Sequence, residues 1–286
     1  MTMTLLLPMA GLLLCMLMWP STAVQAQPPS PHPWMTRHHP AETVETRIPP
    51  PAGYARAGLA DGSFAQWLRR LPVKPGRPAV LLFDGRPKAN QDAHDAVLDL
   101  DVGPKDLQQC ADAVMRLRAE WLHARGRQDE VSFTLTNGSV AAFARWAQGY
   151  RPVTGPRNTI RWVQSASADG SYASFRSYLE QVFIYAGSAS LSQELTAVAD
   201  GADIRAGDVF IRGGYPGHAV IVLDTAEDAA GRRVILLAQS FMPAQDIHVL
   251  RNPNDTVSSP WYSAEYGDRL ITPEWVFARN ELRRFR

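Results

Sequence analysis

Two residues of this chain have the type and setting for acid–base and nucleophilic chemistry: a histidine at the head of an apolar strand, and a cysteine on an amphipathic helix. The stretch Gly207-Asp208-Val209-Phe210-Ile211-Arg212 enters the loop Gly213-Gly214-Tyr215-Pro216-Gly217. It leaves through His218-Ala219-Val220-Ile221-Val222-Leu223-Asp224. Side chains alternate along a strand, so His218 shares a face with Val220 and Val222. A ring held at the rim of a sheet suits a general base; the same placement suits a histidine that satisfies a loop carbonyl. The next strand, residues 233–240, follows the turn 225–232. A hairpin pairing Asp224 with Arg233 sets Gln239 directly across from His218, where an amide fixes the orientation and tautomer of the imidazole. A slip of one residue moves Gln239 to the other face.

Cys110 lies in Leu107-Gln108-Gln109-Cys110-Ala111-Asp112-Ala113-Val114-Met115-Arg116-Leu117. Leu107, Cys110, Val114 and Leu117 share one helical face, so the thiol points toward whatever the helix packs on. Gly103-Pro104 reads as the opening of a helix that runs to about His123. That start puts Cys110 about two turns inside, beyond the reach of the dipole that activates thiols at helix N-termini. A nucleophile and an inert buried thiol are both consistent with this pattern. Asp92, His94, Asp95, Asp99 and Asp101 form an acidic cluster, but their spacing matches no cation-binding loop and polar turns flanking a strand account for it as well. His32, His38 and His39 sit in a proline-rich stretch, where surface histidines explain them better than a metal tract. No metal site and no cofactor are expected.

The elements that must hold these residues are read from periodicity. Apolar positions 64, 67, 68 and 71 make a short helix; residues 172–185 make a strongly apolar one; residues 140–146 read as helical. Strands are expected at 79–83, 96–101, 130–135, 159–163, 208–212, 218–224, 233–240 and 247–250. Helices early and adjacent strands late give an α+β domain, with an antiparallel sheet packed against helices. Residues 279–286 are locally basic and read as a solvated helix end. With 45% apolar and 20% charged residues in a chain of 286, and a formal net charge of +1, neither disorder nor a broad nucleic-acid footprint is indicated. Elbow, zincin, thioredoxin, P-loop and dinucleotide fingerprints are all absent.

The first 26 residues hold no Lys, Arg, Asp or Glu and carry an apolar run from Leu5 to Trp19, interrupted by Pro8. This reads as a secretory signal over residues 1–26, with Val24 and Ala26 as the small residues of the cleavage site and no membrane span left after cleavage. The missing basic n-region also fits a retained anchor. Cleavage removes Cys15 and leaves Cys110 without a disulfide partner. Residues 27–51, with eight prolines, read as an extended arm with little packing, and residues 52–286 as the single α+β domain. The product is exported, periplasmic or extracellular.

The stretches LQQCADAVMRLRAEWL, GDVFIRGGYPGHAVIVLD, LLAQSFMPAQDIHVL and TPEWVF resemble a bacterial envelope family known as domain of unknown function 4846. That resemblance brings no established activity. The order GDVF, loop, GHAVIVLD and a further strand with a polar residue is also similar to the NlpC-type and CHAP-type papain-like amidases. It implies a papain-like fold with Cys110 as nucleophile, His218 as base, Gln239 as orienter, and Gln108 or Gln109, of which Gln109 is preferred, near the oxyanion. The implied substrate is an amide bond in peptidoglycan or a peptide. The separation of Cys110 from His218 is long for the compact amidases. The rival reading is a non-catalytic envelope protein of the same shape, with Tyr215, Phe241, Trp261, Tyr262 and Trp275 around a binding cleft; Trp275 fits a core position better. N-terminal sequencing of the exported protein is expected to begin at Gln27; an intact Met1 in a membrane fraction contradicts the cleavage.

Overall fold

The computed structural model describes residues 32–35, 41–199 and 203–286. The expected signal, Cys15, His38 and His39 lie outside the described residues. The body is a mixed α+β arrangement around a nine-stranded sheet. In chain order its strands are β1 Tyr54–Arg56, β2 His94–Val97, β3 Thr196–Ala197, β4 Val209–Arg212, β5 His218–Asp228, β6 Arg233–Gln239, β7 His248–Leu250, β8 Trp261–Ser263 and β9 Leu282–Arg284. The spatial order is β2-β7-β6-β5-β4-β9-β3, with β1 added to the far half of β5 and β8 to the first half of β6. All these pairings are antiparallel. The strands around Val209, Val220 and Leu236 are therefore neighbours, as the sequence pattern requires.

β5 is long because it is buried on both faces. An unbroken apolar run, rather than alternation, is what two covered faces demand, and Ala219 to Leu223 are all enclosed. Ala219, Ile221 and Leu223 face the larger core, shared with the helices. Val220 and Val222 face a second cluster with Phe210, Ile235, Leu237, Leu270 and Phe277. That second face is covered by the hairpin Arg269–Ile271 with Val276–Ala278.

The helices are α1 Val44–Arg47, α2 Phe64–Arg69, α3 Cys110–Ala124, α4 Phe143–Ala147, α5 Tyr172–Tyr185 and α6 Ser188–Glu194. α5 matches its sequence pattern to the residue and is capped by the Ser171 side chain, which accepts from the Ser174 N–H. α3 begins at Cys110 rather than near Pro104. Residues 104–109 are drawn out of the helix by tertiary bonds. The Asp106 carboxylate accepts from the Ala244 N–H at 2.6 Å, and the Ser240 hydroxyl donates to the Gln108 carbonyl at 3.0 Å. Asp112, in the first turn, accepts from the Gln109 N–H at 3.1 Å and closes the start.

Other expectations need correction. Residues 79–83 form only isolated bridges, Leu81 to Pro87 and Leu82 to Gln245, because proline has no N–H to extend a ladder. Residues 140–142 pair with 132–134 before α4 starts. The basic C-terminus is not a helix end: β9 joins the sheet, and Arg284 pairs with the buried Asp208. Nor are the described residues of the proline-rich stretch unpacked. Val44 and Ile48, one helical turn apart, are both in the core, and Trp34 packs against it.

Asp224 ties β1 and α2 to β5. It is fully buried and accepts from the Arg56 Nε at 2.6 Å and the Arg69 Nε at 2.9 Å. Replacing it leaves two largely buried guanidinium groups without their counter-charge. Asp224→Ala is therefore expected to destabilise the fold by about 3–5 kcal/mol in urea unfolding; a loss below about 1 kcal/mol contradicts the anchoring role.

Candidate functional site

The start of α3 and the start of β5 open on one cleft of about 390 Å³, lined by Gln109, Cys110, Asp112, His218, Phe241 and Trp275 among others. Cys110 is half-buried and occupies the first position of α3, where the amides of Cys110 and Ala111 have no intrahelical acceptor. The thiol is thus at the positive end of a fifteen-residue helix, not two turns inside it. The expectation of a faded dipole is overturned by the tertiary bonds that hold residues 104–109 out.

His218 pairs with Arg212 at the rim of the sheet. Its Nε2 and the Gln239 Oε1 are 2.8 Å apart. Gln239 is not directly opposite. β5 and β6 first pair Leu236 with Asp224, then slip by one and pair Leu237 with Val222 and Ala238 with Ile221, leaving Leu223 as the extra residue. Without that bulge Gln239 would fall beside Ile221, on the helical face. With it, Gln239 falls on the face of Val220 and His218 and reaches the ring diagonally. The simple hairpin gives the right face by a different register.

The ring is walled by aromatics: Phe241 at 4.7 Å, Trp275 at 5.2 Å and Phe277 at 5.8 Å between centroids. Burial there pushes the His218 pKa down to about 4, opposed by the Gln239 bond and the Glu274 carboxylate and assisted by Lys88. Nε2 is the ring nitrogen engaged by Gln239, which leaves Nδ1 as the nitrogen available on a ring that lines the cleft. Cys110 is pushed up to about 11, chiefly by burial and then by Asp112, while the backbone N–H groups of Ala219, Ala111 and Cys110 itself favour the thiolate. The Ala219 amide follows His218 directly, so the sulfur lies against the same peptide that carries the imidazole. No hydrogen bond joins thiol to ring. The resting pair is neutral.

Gln109 and Gln108 part company. Gln109 lines the cleft and gives one side-chain N–H to Asp106 at 3.0 Å. Gln108 turns inward, where its oxygen accepts from the Arg116 guanidinium at 2.9 Å. That guanidinium is also held by Glu120 at 2.6 Å, in contact with the Tyr172 hydroxyl. Among the aromatics, Tyr215, Phe241 and Trp275 line the cleft, Tyr215 almost fully exposed, whereas Trp261 and Tyr262 are core. Trp275 both packs on the second core cluster and faces the cleft.

Asp106, Asp112 and Ser240 also shape the site. Asp112, three residues past Gln109, carries a helix-start signal that sequence reading can use. Ser240 and Asp106 act across more than 130 residues and leave no such mark. The acidic cluster does not converge. His94 Nε2 lies 2.9 Å from the Pro78 carbonyl, Asp101 pairs with Arg116 and Arg176, and no three metal-ligating side chains come together among the described residues. None of the described helices is long and apolar enough to cross a membrane.

His218 and His248 are both buried, and His248 is pushed down to about 3. Each ring has a lower pKa folded than the ordinary 6.5 of the unfolded chain, so the unfolded state binds more protons in between. Their contribution is present above pH 6.5 and is lost as pH falls through about 4 for His218 and about 3 for His248. For His218 alone this amounts to on the order of 3 kcal/mol. A His218→Gln, His248→Gln variant should therefore lose less stability than the wild type between pH 6.5 and 4, measured by urea unfolding at each pH. Parallel curves contradict buried neutral rings.

Against curated proteins and against solved structures the chain gives no match. A family model described as Domain of unknown function (4846) matches residues 44–284. That span takes in α1, the whole sheet, the α3 helix start and every residue of the cleft, and by it the chain belongs to the family described as Domain of unknown function (4846).

Proposed function

We propose that this chain is a papain-like, NlpC-type cysteine hydrolase that cleaves amide bonds in peptidoglycan or peptides after export to the periplasm or the cell exterior. The observation that carries this reading is the orientation of His218. Its Nε2 is bonded to Gln239, which leaves its Nδ1 available on a ring lining the cleft that holds the Cys110 thiol at a helix N-terminus. These placements support reading Cys110, His218 and Gln239 as a nucleophile, a base and an orienting group.

The chemistry follows from the neutral resting pair. As the sulfur attacks a carbonyl carbon, the thiol proton passes to His218 Nδ1, and the imidazolium that forms is stabilised by the Gln239 oxygen. The carbonyl oxygen gains charge beside the free amides of the first turn of α3, with the Gln109 side chain at the same end of the cleft. His218 then returns the proton to the leaving nitrogen as the C–N bond breaks, giving a thioester and a free amine. Water, deprotonated by His218, releases the acid and restores the thiol.

The rival class is a binding module that uses Tyr215, Phe241 and Trp275. What favours it is the resting pKa order, in which neither thiol nor ring is charged. Turnover decides between the two. Purified protein is assayed on peptidoglycan fragments and on a peptide mixture, beside Cys110→Ala and His218→Ala. Each substitution is expected to reduce amide cleavage by about 10³-fold or more with the fold intact. Equal turnover by the wild type and Cys110→Ala ends the cysteine mechanism and leaves the binding reading.

A further inference from the structure

The Gln239 amide has two ways round, and only one of them makes His218 a base toward the cleft. With oxygen toward the ring, Nε2 must carry the proton and Nδ1 keeps its lone pair. With the amide reversed, Nε2 would have to accept, and Nδ1 would face Cys110 with a proton already on it. What sets the amide is therefore part of the site.

Two acceptors do so. The Gln239 Nε2 donates to Glu274 Oε2 at 2.8 Å. It also faces His248 Nε2 at 3.4 Å. His248 Nδ1 lies 2.9 Å from the Asp246 carbonyl, which can only accept, so the His248 proton is on Nδ1 and its Nε2 presents a lone pair to Gln239. Glu274 is in turn held by the Lys88 ammonium and by Asn90 Nδ2 at 3.3 Å. Lys88 is itself buried. Both hydrogens of the amide face acceptors, and the reversed amide would set its oxygen against the Glu274 carboxylate.

We propose that Glu274 is the positioning residue of this site: by accepting from the Gln239 amide it locks the His218 proton on Nε2 and leaves Nδ1 free to act on Cys110. Lys88 holds the carboxylate in place, and His248 supports the same amide orientation from the other side. Glu274 stands at the turn of the hairpin that covers the second face of the sheet, so the cover is also part of the site. The proposal rests on the hydrolase reading for its consequence in catalysis, but its structural claim is separate and is read separately.

The first measurement uses the wild-type protein. Nitrogen-15 shifts and long-range proton couplings of the His218 ring report which nitrogen is protonated, and the expected result is Nε2 protonated and Nδ1 free at neutral pH. A proton on Nδ1 overturns the proposal, whatever the activity. The second compares Glu274→Ala and Glu274→Gln with the wild type in the rate of Cys110 alkylation by iodoacetamide from pH 5 to 9. The groups that face the pair are Asp112, Glu274, Lys88 and His248, and only Glu274 is changed. Glu274→Ala is expected to slow alkylation at neutral pH by about tenfold or more and to mix the two His218 tautomers. Glu274→Gln, which keeps an acceptor oxygen, should recover part of the rate. A Glu274→Ala protein with the wild-type tautomer and the wild-type pH profile overturns the proposal. If the wild type shows the expected tautomer and Glu274 dependence yet cleaves no amide, the positioning stands and the hydrolase reading falls.

Discussion

The pairing of β5 with β6, with one residue left over, is the constraint on which the site depends. A strand has two faces, and every residue belongs to one of them. The helices occupy one face of β5, and the apolar run Ala219 to Leu223 is long enough to fix its position between two cores. With Leu236 paired to Asp224 near the turn, Gln239 meets His218 only if the parity of the pairing changes before the rim. The extra Leu223 makes that change. Bulges bend the strand and re-aim side chains locally; here the re-aimed side chain is a polar one that would otherwise be buried among the helices.

The same end of the sheet fixes the start of α3. The hydroxyl of Ser240, the residue after β6, lies within hydrogen-bond distance of both the Gln108 and Gln245 carbonyls, which share its one hydrogen, and so ties the loop before Cys110 to the strand that carries Gln239. Gln108 is held from within by Arg116, one of the largest fully enclosed side chains, whose charge is met by Glu120 and Asp101. A buried ion pair with satisfied partners adds little stability relative to an apolar core, but breaking it is costly. What this network supplies is position: the chain turns into the helix at Cys110 and nowhere earlier. Burial has an opposite consequence for the chemistry, since it disfavours both charged partners and leaves thiol and imidazole neutral. In the proposed hydrolase, proton transfer then accompanies attack rather than preceding it.

Much of this was legible in the sequence. The Gly-rich loop before His218 and the β-branched run after it announce a rim histidine, and Gln239 follows from strand parity once a turn is assumed. The α5 helix is legible because its apolar period and its Ser171 cap agree. What could not be read was the start of α3. Local signals favour Gly103-Pro104, and the actual start is imposed by Asp106, Ser240 and Arg116, whose partners are distant in the chain. The register was also beyond reach in detail, because a bulge in an all-apolar strand leaves no compositional mark. Val44 and Ile48 were hidden for another reason: two core residues one turn apart in a proline-rich stretch are too few to form a period.

These two kinds of hidden feature meet at the cleft. The position of Cys110 depends on side-chain bonds to a loop that begins where β6 ends, and the position of Gln239 depends on the register of β6 itself. β6 and the residue that follows it therefore carry both the partner of the His218 ring and the anchor of the loop before Cys110. A change of β6 register by one residue would move Gln239 off the ring and would also displace Ser240 from Gln108. The two halves of the site cannot be lost separately by such a slip. Sheet register and helix start, which look like independent features of an α+β fold, are here one constraint.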